Sequence, residues 1–336
     1  MDSERFEPEA PPSKQPKTFH HGSLPTPQRN HYTIAWVCAL HIEMAAAQAM
    51  LDKIHETPPR NADDTNSYVL GNIERHNIAI ACLPEAQYGT INAATVATNL
   101  KRTFPGICIT LMVGIGGGAP CKQDIRLGDV VVGTRIIQYD LGKIVTDGKF
   151  ERTAVPRLQQ PLLGTALANL RAKHELNPSR IPYILQQKLE SHIEYGRPSA
   201  PDRLFQASYE HESQALNCDL CDQSKVISRS RRPPNTIKIH HGAVASSSQL
   251  MRDGMTRAHV TRELDIICFE MESAGLMDIT PCLPIRGICD YSDSHKNKEW
   301  QRYAAATAAA YARELIEELP VTEEQARAAD FSNICE

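Results

Sequence analysis

The sequence predicts an α/β fold, a three-layer sandwich with a central mixed, mostly parallel sheet. Two observations predict it. Short apolar runs that fit buried strands alternate along the chain with longer stretches of helical periodicity, a pattern typical of a sheet covered by helices. With 336 residues, of which 41% are hydrophobic, the chain is also long enough to build one large core.

The strands and helices follow one another in a regular order. The predicted strands are 32–40, 67–73, 78–83, 107–113, 130–137, 236–245, 266–269 and 283–289. The predicted helices are 42–54, 90–102, 158–173 and 300–318, and a further helix opens near Glu272. The strands at 67–73 and 78–83 form a pair around a turn at 74–77.

Three segments depart from this order. Residues 1 to about 30 contain six prolines and few apolar residues, so we predict a disordered tail. Residues 175–235 are polar and rich in proline, and are interpreted as an insertion on the rim of the core domain. The core domain then spans 31–320 and includes the insertion. Residues 321–336 are predicted to be a flexible C-terminal tail.

Composition excludes several classes of function. The net charge of −4 gives no reason to expect nucleic-acid binding. A membrane span needs about 18 uninterrupted apolar residues, which the chain lacks, and the N-terminus has no apolar segment of the kind that directs secretion. Ten cysteines at scattered spacings, several within apolar runs, indicate a reducing compartment. We therefore expect a cytoplasmic protein.

Acidic residues follow three predicted buried strands at the point where each strand ends. Glu43 follows the first strand, Glu270 and Glu272 follow 266–269, and Asp290 follows 283–289. Ligands of open α/β sheets bind beyond the carboxyl ends of the strands. Each acid could instead cap the helix that comes next. Three equivalent placements favour a shared ligand site.

A cluster of glycines at 114–118 follows the strand 107–113. Clustered glycines permit positive φ and allow the backbone to approach a ligand closely. The segment lacks the lysine of a phosphate-binding P-loop, and Pro120 interrupts it where a dinucleotide-binding motif would begin its helix. A ligand loop and a tight structural turn both remain open from the sequence.

Two of these segments resemble a known family. Phe269-Glu-Met-Glu-Ser-Ala274, followed by Ile285-Arg-Gly-Ile-Cys-Asp290, is similar to the paired signature segments of nucleoside phosphorylases and methylthioadenosine/S-adenosylhomocysteine nucleosidases. The segments 39–44, 113–118 and 127–131 match further parts of the family in the right order, so the resemblance covers about residues 32–140 and 236–318. More narrowly, 241–246 and 286–298 resemble a fungal branch that also occurs as the N-terminal module of NLR-type immune receptors.

The resemblance implies a role for each matched residue. Asp290 is the expected general acid, which protonates N7 of a purine and makes the base a neutral leaving group. Glu43 is expected to activate the attacking water. The residues implied at the ribose are Glu272, Met271, Gly116 and Gly117, and those implied at the base are Phe269, Ser246 and Ser247. The chain departs from the family at Cys289, where serine is usual.

The resemblance also separates hydrolysis from phosphorolysis. Phosphorylases of the family carry one arginine at the end of the N-terminal strand and another just before the glycines, where they bind phosphate. The first segment here contains Glu43 and no arginine, and the second position is Met112. We therefore expect a hydrolase that needs no cofactor. The alternatives are a phosphate-dependent phosphorylase and an inactive ligand-sensing or partner-docking module of an immune-type system.

Basic residues near the predicted site indicate the substrate class. They are His295, Lys296, Lys298, Arg229, Arg231 and Arg232. One interpretation is that they bind the phosphates of AMP or ATP, and the other is that they are solvated and the substrate is adenosine. In either case the partner is a purine nucleoside or nucleotide, and we expect a homodimer or higher homo-oligomer.

One further motif lies in the predicted insertion. Cys218 and Cys221 form a single C-x₂-C pair with His211 nearby. A structural zinc site needs four ligands. The sequence favours two reduced thiols in a loop over such a site, so no metal is predicted.

Overall fold

The structure, a computed structural model, describes residues 27–211 and 217–321. Most of the two predicted tails and residues 212–216 of the predicted insertion therefore lie outside the described residues. None of the described helices combines the length and the apolar character that a membrane span requires.

The described elements largely follow the predicted order. The strands are β1 (Ile34–Cys38), β2 (Lys53–His55), β3 (Tyr68–Ile73), β4 (His76–Cys82), β5 (Ile109–Gly118), β6 (Val130–Gln138), β7 (Gly142–Ile144), β8 (Phe150–Arg152), β9 (Ile239–Ser246), β10 (Ile266–Glu270) and β11 (Leu283–Asp290). The helices are α1 (His41–Ala49), α2 (Thr90–Thr103), α3 (Pro161–Leu176), α4 (Ile181–Leu189), α5 (Gly254–Leu264), α6 (Ser273–Ile279) and α7 (Gln301–Ile316).

Nine strands form one mixed sheet in the order β10-β9-β6-β11-β5-β1-β4-β3-β2. The pairings β1–β4, β1–β5, β5–β11, β6–β9 and β9–β10 are parallel, and the remaining ones are antiparallel. β10 also pairs with β5, so that five strands close on themselves. Because the ends of β1, β9, β10 and β11 meet around β5, this closure brings their C-terminal residues together.

Helices cover both faces of the sheet, which confirms the predicted three-layer α/β fold. One apolar cluster packs α1, α3, α4 and α7 against β1, β5 and β11. A second cluster packs α2 and Leu276 of α6 against the opposite face of β1 and β4. Trp36 on β1 is fully buried in the first cluster, and Met112 on β5 is fully buried in the second.

The structure differs from the predicted elements at several places. The glycines predicted as a turn continue β5, because 114–118 pair with β10 and β11. The helix predicted at 42–54 ends at Ala49, since 53–55 pair with β3 as β2. Part of the predicted rim insertion belongs to the core, because α4 buries Ile181 and Ile184 against α7. The helix α5 and the β7–β8 hairpin were not predicted.

Candidate active site

The first predicted site residue, Glu43, lies in the first turn of α1, directly after β1. Its side chain is buried, with an exposed fraction of 3%. Oε2 accepts hydrogen bonds from the backbone N–H groups of Ala39 (2.7 Å) and Leu40 (3.0 Å), and Oε1 accepts one from Ile115 (2.8 Å). The bond from Leu40 caps the helix. Burial raises the pKa of Glu43, while Arg286 and these three bonds oppose the rise.

β5 approaches two carboxylates so closely that only glycine fits beside them. A Cβ on Gly114 would lie 2.3 Å from Oε1 of Glu43. A Cβ on Gly117 would lie 1.9 Å from Oγ of Ser292 and 2.8 Å from Oδ1 of Asp290. Neither glycine has a positive φ. The glycines therefore provide space beside the acids and do not form a turn.

A buried arginine holds two of the carboxylates at the end of β10. Arg286 on β11 is fully buried and forms an ion pair with Glu270, and its Nη2 lies 3.4 Å from Oε2 of Glu272. Glu270 also accepts hydrogen bonds from the backbone and hydroxyl of Ser273, so it caps α6. Of the two acids at the end of β10, Glu270 is the one whose side chain binds the first residue of α6.

Glu272 is less completely bonded than Glu270. Its two contacts, from Arg286 Nη2 and from the backbone N–H of Met271 (3.3 Å), both fall on Oε2. Burial raises the pKa of Glu272 to about 7, with Glu270 and Glu43 adding to the rise and Arg286 opposing it. The carboxylate therefore has an oxygen, Oε1, that these contacts leave available to a ligand.

Asp290 is the last residue of β11, and its carboxylate lies beside Gly117 of the glycine segment. Oδ1 accepts the backbone N–H of Ser292 at 2.9 Å, and Oδ2 lies 3.0 Å from Nζ of Lys296. The Sγ atom of Cys289 lies 3.1 Å from Oδ2. Burial and then the nearby Asp290 raise the pKa of Cys289, so its thiol stays protonated and donates as the usual serine would.

The residues implied at the base are placed around the ends of β9 and β10. Phe269 is buried, and its ring packs edge-on against Tyr139 with centroids 5.6 Å apart. Oγ of Ser246 accepts the backbone N–H of Ala274 at 3.0 Å, and Oγ of Ser247 donates to Asp140 at 2.9 Å. Each of these three side chains has a contact within the protein, and their contact with a base stays a prediction.

Most of the predicted phosphate-binding cations are also engaged. Arg232 forms an ion pair with Asp129 at 2.6 Å, and Arg229 forms one with Asp202 at 2.9 Å. His295 stacks on Phe205 with centroids 4.1 Å apart. Burial lowers the pKa of His295 to about 4, so it carries no charge near neutral pH.

The other predicted phosphate-binding cations are Lys296, Lys298 and Arg231. Lys296 faces Asp290, and the attraction of that carboxylate raises the pKa of Lys296 although burial acts against it. Lys298 and Arg231 are exposed. Arg252 is also exposed, and it lies near enough to Lys296 to lower the pKa of that lysine.

Sequence reasoning missed three of these residues. Arg286 was part of the matched segment 285–290 but received no role, although a charged residue inside an apolar strand indicates a buried partner. Lys296 was predicted to face phosphate and instead faces Asp290. Arg252 lies in a loop that carried no motif.

Known proteins resemble this chain along most of its length. It is 40% identical over 297 residues to a nucleotide-binding leucine-rich repeat (NLR)-like protein of Hyaloscypha variabilis, covering 85% of this chain and 29% of that protein. It is 24% identical to the ATP nucleosidase Cap17 of Escherichia coli, covering 81% of this chain and 48% of Cap17. The chain thus spans less than half the length of these two relatives.

A solved structure shares the fold. The chain superposes on the 5′-methylthioadenosine/S-adenosylhomocysteine nucleosidase of Helicobacter pylori with a TM-score of 0.58 at 16% identity, covering 86% of this chain and 99% of that one. The fold defines a class of protein, the α/β proteins with a mixed central sheet to which this nucleosidase belongs. The chain belongs to the phosphorylase superfamily, whose family model matches residues 33–318. The predicted resemblance to this superfamily, and to its branch in NLR-like proteins, is confirmed.

Proposed function

We propose that the chain is a purine nucleosidase that hydrolyses the N-glycosidic bond of adenosine and of adenine nucleotides. The products are the free base and ribose or a ribose phosphate. One observation carries the proposal: two buried carboxylates, Glu43 and Asp290, flank the same glycine segment, one at Gly114 and the other at Gly117. Three residues of a strand span about 10 Å, which leaves room for a nucleoside between the two acids.

Asp290 is the proposed general acid. Cleavage leaves negative charge on the departing purine, and a proton delivered to N7 makes the base a neutral leaving group. General acid catalysis of this kind contributes about 10²–10⁴-fold to a rate. Lys296, at 3.0 Å from Oδ2, and the thiol of Cys289 orient the carboxyl group, which takes up its next proton from solvent.

Glu43 is the proposed general base. Its Oε1 accepts one hydrogen bond, from Ile115, and therefore retains a second acceptor position for a water molecule. Burial raises the pKa of Glu43, which improves its ability to take a proton from that water. The hydroxide oxygen bonds to C1′ of the ribose as the bond from C1′ to the base breaks. The proton taken up by Glu43 then passes to solvent.

Glu272 is proposed to bind the ribose hydroxyls. A carboxylate oxygen accepts two hydrogen bonds from adjacent hydroxyl groups, and Oε1 of Glu272 is the oxygen that its protein contacts leave available. Arg286 holds the side chain of Glu272 in place, because it pairs with Glu270 and Glu272 at the same time. Met271, which is only partly buried, is proposed to pack under the sugar.

The position of the arginine charge near the carboxylates favours hydrolysis over phosphorolysis. Phosphate binding beside C1′ needs a cation that is free to contact it. Met112 occupies the position before the glycines and is fully buried among apolar side chains. Arg286 is the described arginine beside the carboxylates, and its charge is engaged by Glu270 and Glu272.

Adenine nucleotides are included because cations surround the loop after β11. Arg252 and Lys298 are exposed, and Arg252 lies near Lys296, which itself contacts Asp290. Such an arrangement can attract the phosphates of a bound nucleotide. The similarity to a protein named an ATP nucleosidase supports the same substrate class.

The test is to incubate the protein with adenosine, inosine, guanosine, AMP and ATP, each with and without phosphate, and to follow the free base by chromatography. We expect adenine release in phosphate-free buffer. Asp290→Asn should lower the rate by about 10²-fold or more, because an amide cannot supply the proton. The matched control is Asp278→Asn, an acid on the exposed side of α6, which should keep the normal rate.

Three outcomes would contradict the proposal. Base release that requires phosphate and yields ribose 1-phosphate would identify a phosphorylase. No release from any substrate by folded protein would favour a ligand-sensing module.

For the nucleotide activity, Arg252→Glu and Lys298→Glu should reduce ATP cleavage more than adenosine cleavage, and the ATP rate should fall with salt. Equal losses on both substrates would restrict the activity to nucleosides.

A further inference from the structure

A cluster of metal-ligating side chains lies outside the carboxylate site. One ligand atom each of His211, Cys218 and Cys221 lies within 4.8 Å of the other two. Both cysteines are buried and free, and His211 is partly buried. None of the three has a role in the proposed hydrolysis. The sequence favoured two reduced thiols here, but it did not show that His211 meets them.

The spacing of the three atoms fits a tetrahedral zinc ion. With Zn–S bonds of 2.3 Å and Zn–N bonds near 2.0 Å, neighbouring ligand atoms are about 3.5–3.8 Å apart. The ligand atoms, which lie within 4.8 Å of one another, therefore have to approach by about 1.3 Å at most to bind the ion. Two thiolates would also cancel the charge of Zn²⁺, so the bound ion adds no net charge to a buried position.

His211 is oriented as zinc-binding histidines are. Its Nε2 lies 2.9 Å from the backbone carbonyl oxygen of Asn217. Donation of the Nε2–H to that oxygen leaves the lone pair on Nδ1 free for a metal. A hydrogen bond from the other ring nitrogen to a carbonyl is a regular feature of metal-bound histidine.

A fourth ligand is available in His295. Its ring packs edge-on against His211 with centroids 5.5 Å apart, and two imidazoles on one tetrahedral zinc ion have centroids about 5 Å apart. Both ring nitrogens of His295 are buried and have no hydrogen-bond partner among the described residues. Buried polar atoms without partners are rare and call for an explanation. A bound metal would supply one.

We infer that His211, Cys218, Cys221 and His295 form a closed structural zinc site. A cavity of about 300 Å³ is lined by Cys218 and His295 and gives an ion a route to the cluster. His295 lies outside the group of three atoms within 4.8 Å, so its ring would have to move toward them to complete the tetrahedron. The site is independent of the proposed function, because its occupancy can be measured without any substrate.

The site would fix one loop of the carboxylate centre. His211 donates its backbone N–H to Oγ of Ser294 at 2.9 Å, and the ring of Phe205 lies 4.1 Å from that of His295. Phe205 and His211 are therefore attached to the loop that carries Lys296, the partner of Asp290. Zinc would tie these residues to that loop and so position Lys296.

The test is the metal content of the purified full chain. Protein expressed with added zinc should contain one zinc per chain by elemental analysis and native mass spectrometry. Cys218→Ser and Cys221→Ser should lose it, and His211→Ala and His295→Ala should lower the affinity for added zinc by about 10-fold or more. Cys108→Ser and Cys121→Ser, two exposed cysteines, are the matched controls and should keep one zinc.

Measurements on the unaltered protein test the site even if the variants do not fold. A zinc chelator should lower the melting temperature of the unaltered protein, and added zinc should restore it. Cobalt in place of zinc should give the visible absorption of tetrahedral, thiolate-bound Co²⁺. The inference is overturned by protein that binds no zinc at micromolar concentration, by a Cys218–Cys221 disulfide that persists in protein purified with a thiol reductant, or by full zinc content in Cys218→Ser. Unchanged zinc affinity in His295→Ala would remove the fourth ligand and with it the closed site.

Discussion

Single side chains at the carboxylate centre are held in states that water would not favour. Glu43, Glu270 and Glu272 are all buried, and one arginine, Arg286, is the cation that faces them. One positive charge cannot compensate three negative ones, so a carboxylate in this group gains by taking up a proton. Burial is the largest cause of the raised pKa of Glu272, and the neighbouring carboxylates of Glu270 and Glu43 add to it.

The first prediction concerns the stability cost of Glu272. Its pKa is about 7 in the folded protein, against 4.5 for a glutamate exposed to water as in the unfolded chain, so the folded state binds the proton more tightly. The resulting stabilisation is complete below pH 4.5 and is lost as the pH rises through 7. Glu272→Gln cannot ionise, so it should raise the melting temperature relative to the unaltered protein more at pH 8 than at pH 5. The difference should be about 1–3 kcal/mol, or a few degrees.

Differential scanning calorimetry at the two pH values measures this effect. Glu175→Gln, at an exposed position of α3, is the control and should shift both melting temperatures equally. The same Glu272→Gln protein should bind and cleave its substrate poorly, as expected of a residue kept for function at the expense of stability. A melting temperature that falls at pH 8 would show that the ionised carboxylate stabilises the fold through Arg286.

Sequence reasoning located the acids at the strand ends but did not find the partners of the cations, for a physical reason, and the roles of both sets stay predictions. Glu43, Glu272 and Asp290 follow strand ends, and a strand end has a known place in an α/β sheet. Arg232 and Arg229 pair with Asp129 and Asp202, which are distant in sequence. Proximity along the chain to Asp290 therefore did not reveal which cations remain unpaired.

At the scale of elements, β5 determines how close the acids come to one another. Its glycines were predicted because of their conformational freedom, but they matter because they lack a side chain. β5 lies between β1 and β11 in the sheet, and it is therefore flanked by Glu43 on one side and Asp290 on the other. The sequence showed that the glycines were unusual but could not distinguish a turn from a strand that needs clearance.

The second prediction follows from that clearance. Gly117→Ala should push Ser292 and Asp290 away, because the new Cβ would lie 1.9 Å from one and 2.8 Å from the other. We expect a loss of stability of about 1–3 kcal/mol and a fall in turnover of about 10-fold or more. Gly164→Ala on α3 is the matched control, with its nearest atom 3.9 Å away, and should stabilise by about 0.5–1 kcal/mol. Normal turnover in folded Gly117→Ala would show that the clearance at Gly117 is not needed to position Asp290.

Elements without a strong apolar pattern escaped prediction. Helix α5 is mostly polar, and the one large apolar side chain that it buries is Val260. Its start is marked by Asp253, whose side chain accepts the N–H of Thr256. The β7–β8 hairpin has three residues in each strand and is largely exposed. Neither element contributes enough buried surface to impose a periodicity on the sequence.

For the whole molecule, the order of elements was predictable but the limits of the folded domain were not. The predicted tail reached about residue 30, yet Arg29 already contacts the loop at Asn61 and Pro59. The sequence pattern detects a domain by its apolar residues, so polar residues at the edge of the domain are not recognised as part of it. The predicted homo-oligomer stays a prediction, and light scattering on the purified chain would measure it.

The last prediction places the N-terminal limit of the domain between residues 26 and 32. Tyr32 is fully buried; its hydroxyl lies 2.9 Å from Nδ1 of His55, and its ring packs edge-on against Phe104. A chain that starts at residue 27 should keep the melting temperature and the nucleosidase activity of the full chain. A chain that starts at residue 33 should lose about 3–5 kcal/mol of stability, since removal of a buried aromatic ring costs that much. Tyr32→Ala in the full chain is the control, and it should reproduce most of that loss, because the ring and not the chain length is responsible. Loss of activity on removal of residues 1–26, with the melting temperature unchanged, would assign those residues a part in the reaction and contradict their interpretation as a dispensable tail.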